Sequence, residues 1–206
     1  MLRRVNLSAT SWDLVWSTAQ RVLVVNAGLA LTNLPLLGAL ALVAQPWRYP
    51  VFFGVLALSL GPSVAAAFGC LDDDGGFVRA YRMMFWRALG RWALVVALVA
   101  VLVTDIAVAP AVLVPLLVVT AALVLSAGVL LLALLPLRPE LRLWPGVRLA
   151  VYASVRRGWL GGLSLVVLLA ALAVVNQAPL LGLSTVPGFA LIVVWANSRA
   201  ALSPRD

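Results

Sequence analysis

The sequence has no histidine and no lysine, a single cysteine, and charged residues at only 11% of its 206 positions. Without histidine it lacks the side chain most often used as a general base or metal ligand near neutral pH. The lone Cys70 excludes an intramolecular disulfide and any cysteine-rich metal site. Its expected role is that of a small apolar packing residue. No carboxylates pair at helical spacing inside an apolar stretch, so neither a metal centre nor acid–base catalysis has a visible basis. The sequence therefore predicts no catalytic residues, no cofactor and no enzyme.

Scarcity of charge also excludes an ordinary soluble domain, where roughly 25% of residues are charged and about 45–50% apolar. Here 64% are hydrophobic. Repeated apolar windows of about 20 residues, each enough to cross a hydrocarbon core of roughly 30 Å, predict an all-α integral membrane protein. All fifteen basic residues are arginine. With the abundance of alanine, valine and leucine, this fits the coding bias of a GC-rich bacterial genome. A pI of 11.4 in a soluble chain would suggest nucleic acid. In a membrane protein the same excess follows from topology, and no nucleic-acid partner is expected. The N-terminal "MLRRVNLSATSWDLVW" has no compact apolar region followed by a small-residue cleavage site. The first long span is thus expected to serve as an uncleaved anchor.

Six spans are predicted, over about 21–43, 51–71, 93–108, 111–135, 159–176 and 179–198. From Ala93 to Leu137 the chain has one acid and no base; as a single helix those 45 residues would reach about 68 Å, twice a membrane. "TDIAVAP" (104–110) supplies the turn. In the last apolar stretch "NQAP" (176–179) offers a reversal, and "STVPG" (184–188) a reversal or a kink. On this scheme Arg3, Arg4, Arg21, then Arg79, Arg82, Arg87, Arg91, then Arg138, Arg142, Arg148, Arg156, Arg157, and finally Arg199 and Arg205 share one side. Only Arg48 is left on the other. The positive-inside rule then predicts a multi-pass protein of the bacterial cytoplasmic (inner) membrane with both termini in the cytoplasm.

Two basic cytoplasmic connectors, 72–92 and 138–158, separate the spans. "FVRAYRMMFWRALGRW" (77–92) places Arg79, Arg82, Arg87 and Arg91 on one half of a helix and Val78, Tyr81, Phe85, Ala88, Leu89 and Trp92 on the other. That pattern predicts a helix lying in the membrane interface, capped at its N-terminus by "DDDGG". It can serve as an anchor for the neighbouring spans or as a docking surface. "DDDGG" lacks the alternating ligands and distal glutamate of an EF-hand loop. A shift of 69 positions aligns "VRAYRMMFWRALGRWALVV" with "VRLAVYASVRRGWLGGLSL", pairing Arg79 with Arg148 and Arg87 with Arg156. Two copies of a span, connector, span unit are expected, the mark of an internal duplication. Both copies enter and leave on the same side, unlike an inverted repeat.

Intramembrane polar residues are few. Asn26 and Asn33, seven apart in the first span, share a face and suit either helix packing or the lining of a solute path. Asp105 is an acid embedded in apolar sequence, which marks a functional site or, at a predicted outer turn, a wet loop residue. "GPSVAAAF" (61–68) predicts a kink at Pro62 and close helix approach along the alanines.

The order of "VNAGLALTNLP", "GPSVAAAF" and "GGFVRAYRMMFWRAL" resembles the YesL family, a domain of unknown function in bacterial multi-span membrane proteins. The likeness covers residues 20–105 and is weaker beyond; the distance from Pro35 to Gly61 departs from the family pattern. The resemblance implies an inner-membrane protein associated with carbohydrate uptake, and brings no catalytic residues. Together these readings predict a non-enzymatic accessory or regulatory protein. Arg79, Arg82, Arg87, Arg148, Arg156 and Arg157 would face anionic lipid headgroups or a partner such as a sugar transporter permease or sensor. The alternative is a small transporter or channel, in either case compatible with a homo-oligomer.

Overall fold

A computed structural model describes residues 7–45, 48–73, 76–177 and 179–203. Every regular element among them is helical: α1 (Leu7–Thr32), α2 (Leu34–Leu42), α3 (Pro50–Ala57), α4 (Leu60–Asp72), α5 (Phe77–Val108), α6 (Val114–Leu137), α7 (Leu143–Arg156), α8 (Gly158–Gln177) and α9 (Pro179–Leu202). Five helices are long and apolar enough to cross a membrane, or six if the bent pair α1/α2 is one span. The chain is an all-helical, multi-pass membrane protein.

Proline sets the two irregular spans. The first expected span is broken, with Trp16–Thr32 and Leu34–Leu42 meeting at 63°. Pro35 has no N–H for a helical bond, and its ring excludes the carbonyl four residues back, so the chain departs from helix at Asn33. In the second span Pro62 acts the same way on Leu58, and α3 gives way to α4 at Leu58–Ser59. The interruption falls one turn before the proline, but Leu58 and Ser59 keep helical dihedral angles (φ −62°, ψ −28° and φ −65°, ψ −22°), and Pro50–Asp72 runs as one span in place of the sharp kink expected at "GPS".

Helix α4 lies at the centre of the bundle. Its Ala65, Ala66, Ala67 and Phe68 are fully buried, together with Leu132 and Leu135 of α6 and Val194 and Trp195 of α9. Phe68 and Trp195 stack at 5.3 Å between centroids. Small residues let α5 approach: Gly61 leaves room for Trp92, and Gly69 for Met84. Cys70 packs in this core, as its apolar character suggested. A second cluster joins α6 to α7 through Leu130, Leu131, Leu134, Ala150 and Ala153.

Three expectations are corrected. The first connector is helical, but it does not lie apart from the third span: residues 77–108 form one unbroken helix of 32 residues, about 48 Å long. Nothing between Ala88 and Val95 interrupts it, and its first half packs on α4 instead of resting on the interface alone. The acidic cap also differs. Asp72 ends α4 and Asp73 caps its C-terminus, while α5 begins after Gly76 without a side-chain cap. Gly76 has φ +79°, a conformation that favours glycine and turns the chain into α5. Asp74 and Gly75 lie outside the described residues. Finally, Asp105 occupies the last turn of α5 as an exposed side chain; the turn itself follows Val108.

The remaining turns fall near their expected places. The α5–α6 reversal spans Ala109–Leu113, and α8 ends at Gln177, two residues before α9 begins. Pro187 sits inside α9 rather than ending it.

Candidate functional site: the basic connectors and their junction

The second connector contains a helix of its own, α7, joined to α8 at Arg157, where φ −123° and ψ 45° leave the helical region. Arg148 and Arg156 are exposed on α7, and Arg79, Arg82 and Arg87 on α5. These side chains do not converge on one point. Arg79 and Arg82 project from the first turns of α5. Arg156 lies over the Tyr152 ring at 5.8 Å. Arg157 donates from Nη1 to Ser203 Oγ at 3.4 Å, a long contact that ties the α7–α8 joint to the residue after α9.

Arg87 is different, because it joins the two connectors. Its Nη1 donates to the carbonyl of Pro139 at 3.0 Å, in the loop between α6 and α7. One turn further along α5, Arg91 donates from Nη1 to Leu131 O at 3.1 Å and from Nη2 to Leu141 O at 2.8 Å. Arg91 is only 5% exposed. Charge-assisted bonds to carbonyls contribute about 1.5–3 kcal/mol each, more than neutral ones. A single guanidinium therefore fixes the end of α6 and the start of the second connector against α5.

Sequence reasoning placed Arg91 on the solvated arc and left it out of the functional set. A signal was present: Arg91 lies three residues from Ala88, so the two share a helix face, and Ala88 is fully buried. Arg91 thus belongs to the edge of the arc that turns toward the bundle. Around this clamp, Trp86, Arg87, Arg91, Glu140 and Arg142 line a cleft of about 440 Å³. Arg142 was likewise unassigned by sequence, since nothing in the spacing brings the 138–142 loop to α5.

The intramembrane asparagines take part in bonds between helices. Asn26 is buried, and its Oδ1 accepts from the backbone N–H of Gly188 at 2.6 Å, immediately after Pro187. Asn33, also buried, donates from Nδ2 to Leu29 O at 2.9 Å and accepts from Ser59 Oγ at 2.8 Å. The hydroxyls of Thr32 and Ser63 lie 2.9 Å apart. The break of α1/α2 is thereby stitched to the break of α3/α4. Trp92 Nε1 adds a bond to Ala57 O at 3.0 Å, at the carbonyl end of α3.

No protein-family model, curated protein or solved structure matches the chain. The reading of its function rests on these residues.

Proposed function

We propose that this chain is a non-enzymatic accessory or regulatory component of the bacterial cytoplasmic membrane, with both termini on the cytoplasmic side. In this reading Arg79, Arg82, Arg87, Arg148, Arg156 and Arg157 face anionic lipid headgroups or a partner protein, and the YesL resemblance points to a permease or sensor of a carbohydrate-uptake system. One observation carries the proposal. Arg79, Arg82, Arg148 and Arg156 are exposed on α5 and α7, with no carboxylate within 4.0 Å among the described residues. Exposed guanidinium groups on rigid helices suit phosphates and acidic surfaces, which they engage with paired donors.

Affinity purification from native membranes in mild detergent, followed by mass spectrometry, tests this reading. A specific permease or sensor should be recovered, and its yield should fall when Arg79, Arg82, Arg148 and Arg156 are replaced by glutamine. Recovery of the chain alone as a defined homo-oligomer would contradict it.

A second reading, a small transporter or channel, is favoured by the paired helix breaks. Transporters place their sites where discontinuous helices meet, and here Asn33, Ser59, Thr32 and Ser63 gather at such a junction. Solute flux in reconstituted vesicles, abolished by Asn26→Leu with Asn33→Leu, would support it; flux equal to that of empty vesicles would exclude it for the solutes assayed.

A further inference from the structure

We propose that the cleft between α5 and the α6–α7 loop holds the phosphate of an anionic membrane phospholipid, with an acyl chain laid in the adjoining groove of α5, α6 and α7. The inference rests on the reading of the connectors as lipid-facing surfaces and sharpens it to one site.

The starting point is an imbalance of charge. Arg91 is buried, and its hydrogen bonds go to two carbonyl oxygens, which carry only partial charge. Among the described residues no carboxylate lies within 4.0 Å of it. A buried full charge without a counterion is costly. Arg87, four residues away on the same helix, adds a like charge, and Arg142 lines the same cleft. Against these three cations stands one lining carboxylate, Glu140. The cleft therefore selects an anion, and a phosphate offers oxygens to several guanidinium groups at once.

What lies next to the cleft decides which anion. One turn further along both α5 and α7, an apolar groove of about 180 Å³ begins, lined by Leu94, Leu98, Leu123 and Val151 among others. Leu131 joins the two: its carbonyl accepts from Arg91, and the residue also lines the groove. Leu94, Leu98, Leu123 and Val151 are exposed on the outside of the bundle, where lipid tails run. A soluble anion would use the cleft alone. A phospholipid uses both, and Trp86 at the cleft wall suits the headgroup level, where indoles concentrate.

The test is native mass spectrometry of the purified full-length chain with dioleoyl phosphatidylglycerol or dioleoyl phosphatidylcholine. The glycerol lipid should be retained over the choline lipid. Replacing Arg87 and Arg142 together by glutamine should lower its retention by about thirtyfold, from roughly 1 kcal/mol for each of the two basic residues. The lysine versions should recover most of it, which separates charge from folding. Arg79→Gln with Arg82→Gln, lipid-facing but outside the cleft, should lower retention clearly less than the cleft pair does. Ala127→Trp, which fills the groove, should also lower it. Equal loss in the cleft and control pairs would overturn the discrete site while sparing the broader lipid-facing reading. No loss in either would overturn both. Displacement of the lipid by inorganic phosphate, with no effect of Ala127→Trp, would make this a site for a soluble anion and overturn the lipid assignment.

Discussion

The two basic connectors align in sequence at a shift of 69 positions yet are built differently. In the first, the arginine-bearing stretch continues into its span without a break, as α5. In the second, α7 ends at Arg156 and α8 starts at Gly158. Positions 88, 89 and 92 in the first are Ala, Leu and Trp; their counterparts at 157, 158 and 161 are Arg, Gly and Gly. Glycine lowers helix stability by about 1 kcal/mol relative to alanine. Packing adds to the difference: Trp92 is held against Gly61 of α4, whereas at Gly161 the absence of a side chain admits Ser126 of α6. Similar arginine spacing thus accompanies a rigid extension in one connector and a jointed helix pair in the other.

Loss of the clamp should have the largest effect on this comparison. Arg91→Leu removes two charge-assisted hydrogen bonds to backbone carbonyls and should destabilise the protein by about 2–4 kcal/mol, while exposed Arg156→Leu should stay within about 0.5 kcal/mol. Unfolding in mixed micelles measures both; equal effects would mean that Arg91 is not buried in the folded protein.

Gly61→Leu comes next. It must displace Trp92 and should cost about 1–3 kcal/mol by overpacking, whereas Gly162→Ala, with open space around it, should be neutral or slightly stabilising. The same unfolding assay ranks them, and a neutral Gly61→Leu would deny the close α4–α5 contact.

A smaller loss is expected for Asn26→Leu, about 0.6–2 kcal/mol, because it removes one interhelical bond at Gly188. Smallest in free energy, but direct, is hydrogen exchange. Backbone amides at 157–161 should exchange faster than those at 87–92, since the joint contains weaker bonds, such as Gly161 N to Arg157 O at 3.5 Å. Equal protection would mean that the second connector is as continuous as the first.

The spans were legible because apolar length, proline and arginine placement are local signals, and the membrane imposes them on the chain. Pro62 marked the interruption of the second span, whereas the first was expected to be continuous over 21–43; its 63° bend at Asn33 accompanies contacts of the Asn33 and Thr32 side chains with Ser59 and Ser63 on another helix. Less legible was the first connector. An amphipathic pattern is the same whether the helix lies on lipid or on α4; Gly61 and Gly69, which settle the matter, are remote in sequence. Arg91 and Arg142 were missed for the same reason. Their meeting requires the 138–142 loop to fold back over α5, a contact some 50 residues distant, and no spacing rule encodes it. The exposed arginines were readable as a set, but their division between a shared cleft and isolated surface positions was not.

The most direct measurement is a pair of spin-label distances in a Cys70→Ala background. Labels at Arg79→Cys and Val103→Cys, both exposed positions on α5, should lie about 36 Å apart along 24 residues of continuous helix. The equivalent pair at Arg148→Cys and Leu172→Cys should be shorter, because the joint at Arg157 intervenes. A distance near 26 Å for the first pair, as a right-angled bend at 92–93 would give, would return the first connector to the membrane interface and contradict the continuous α5.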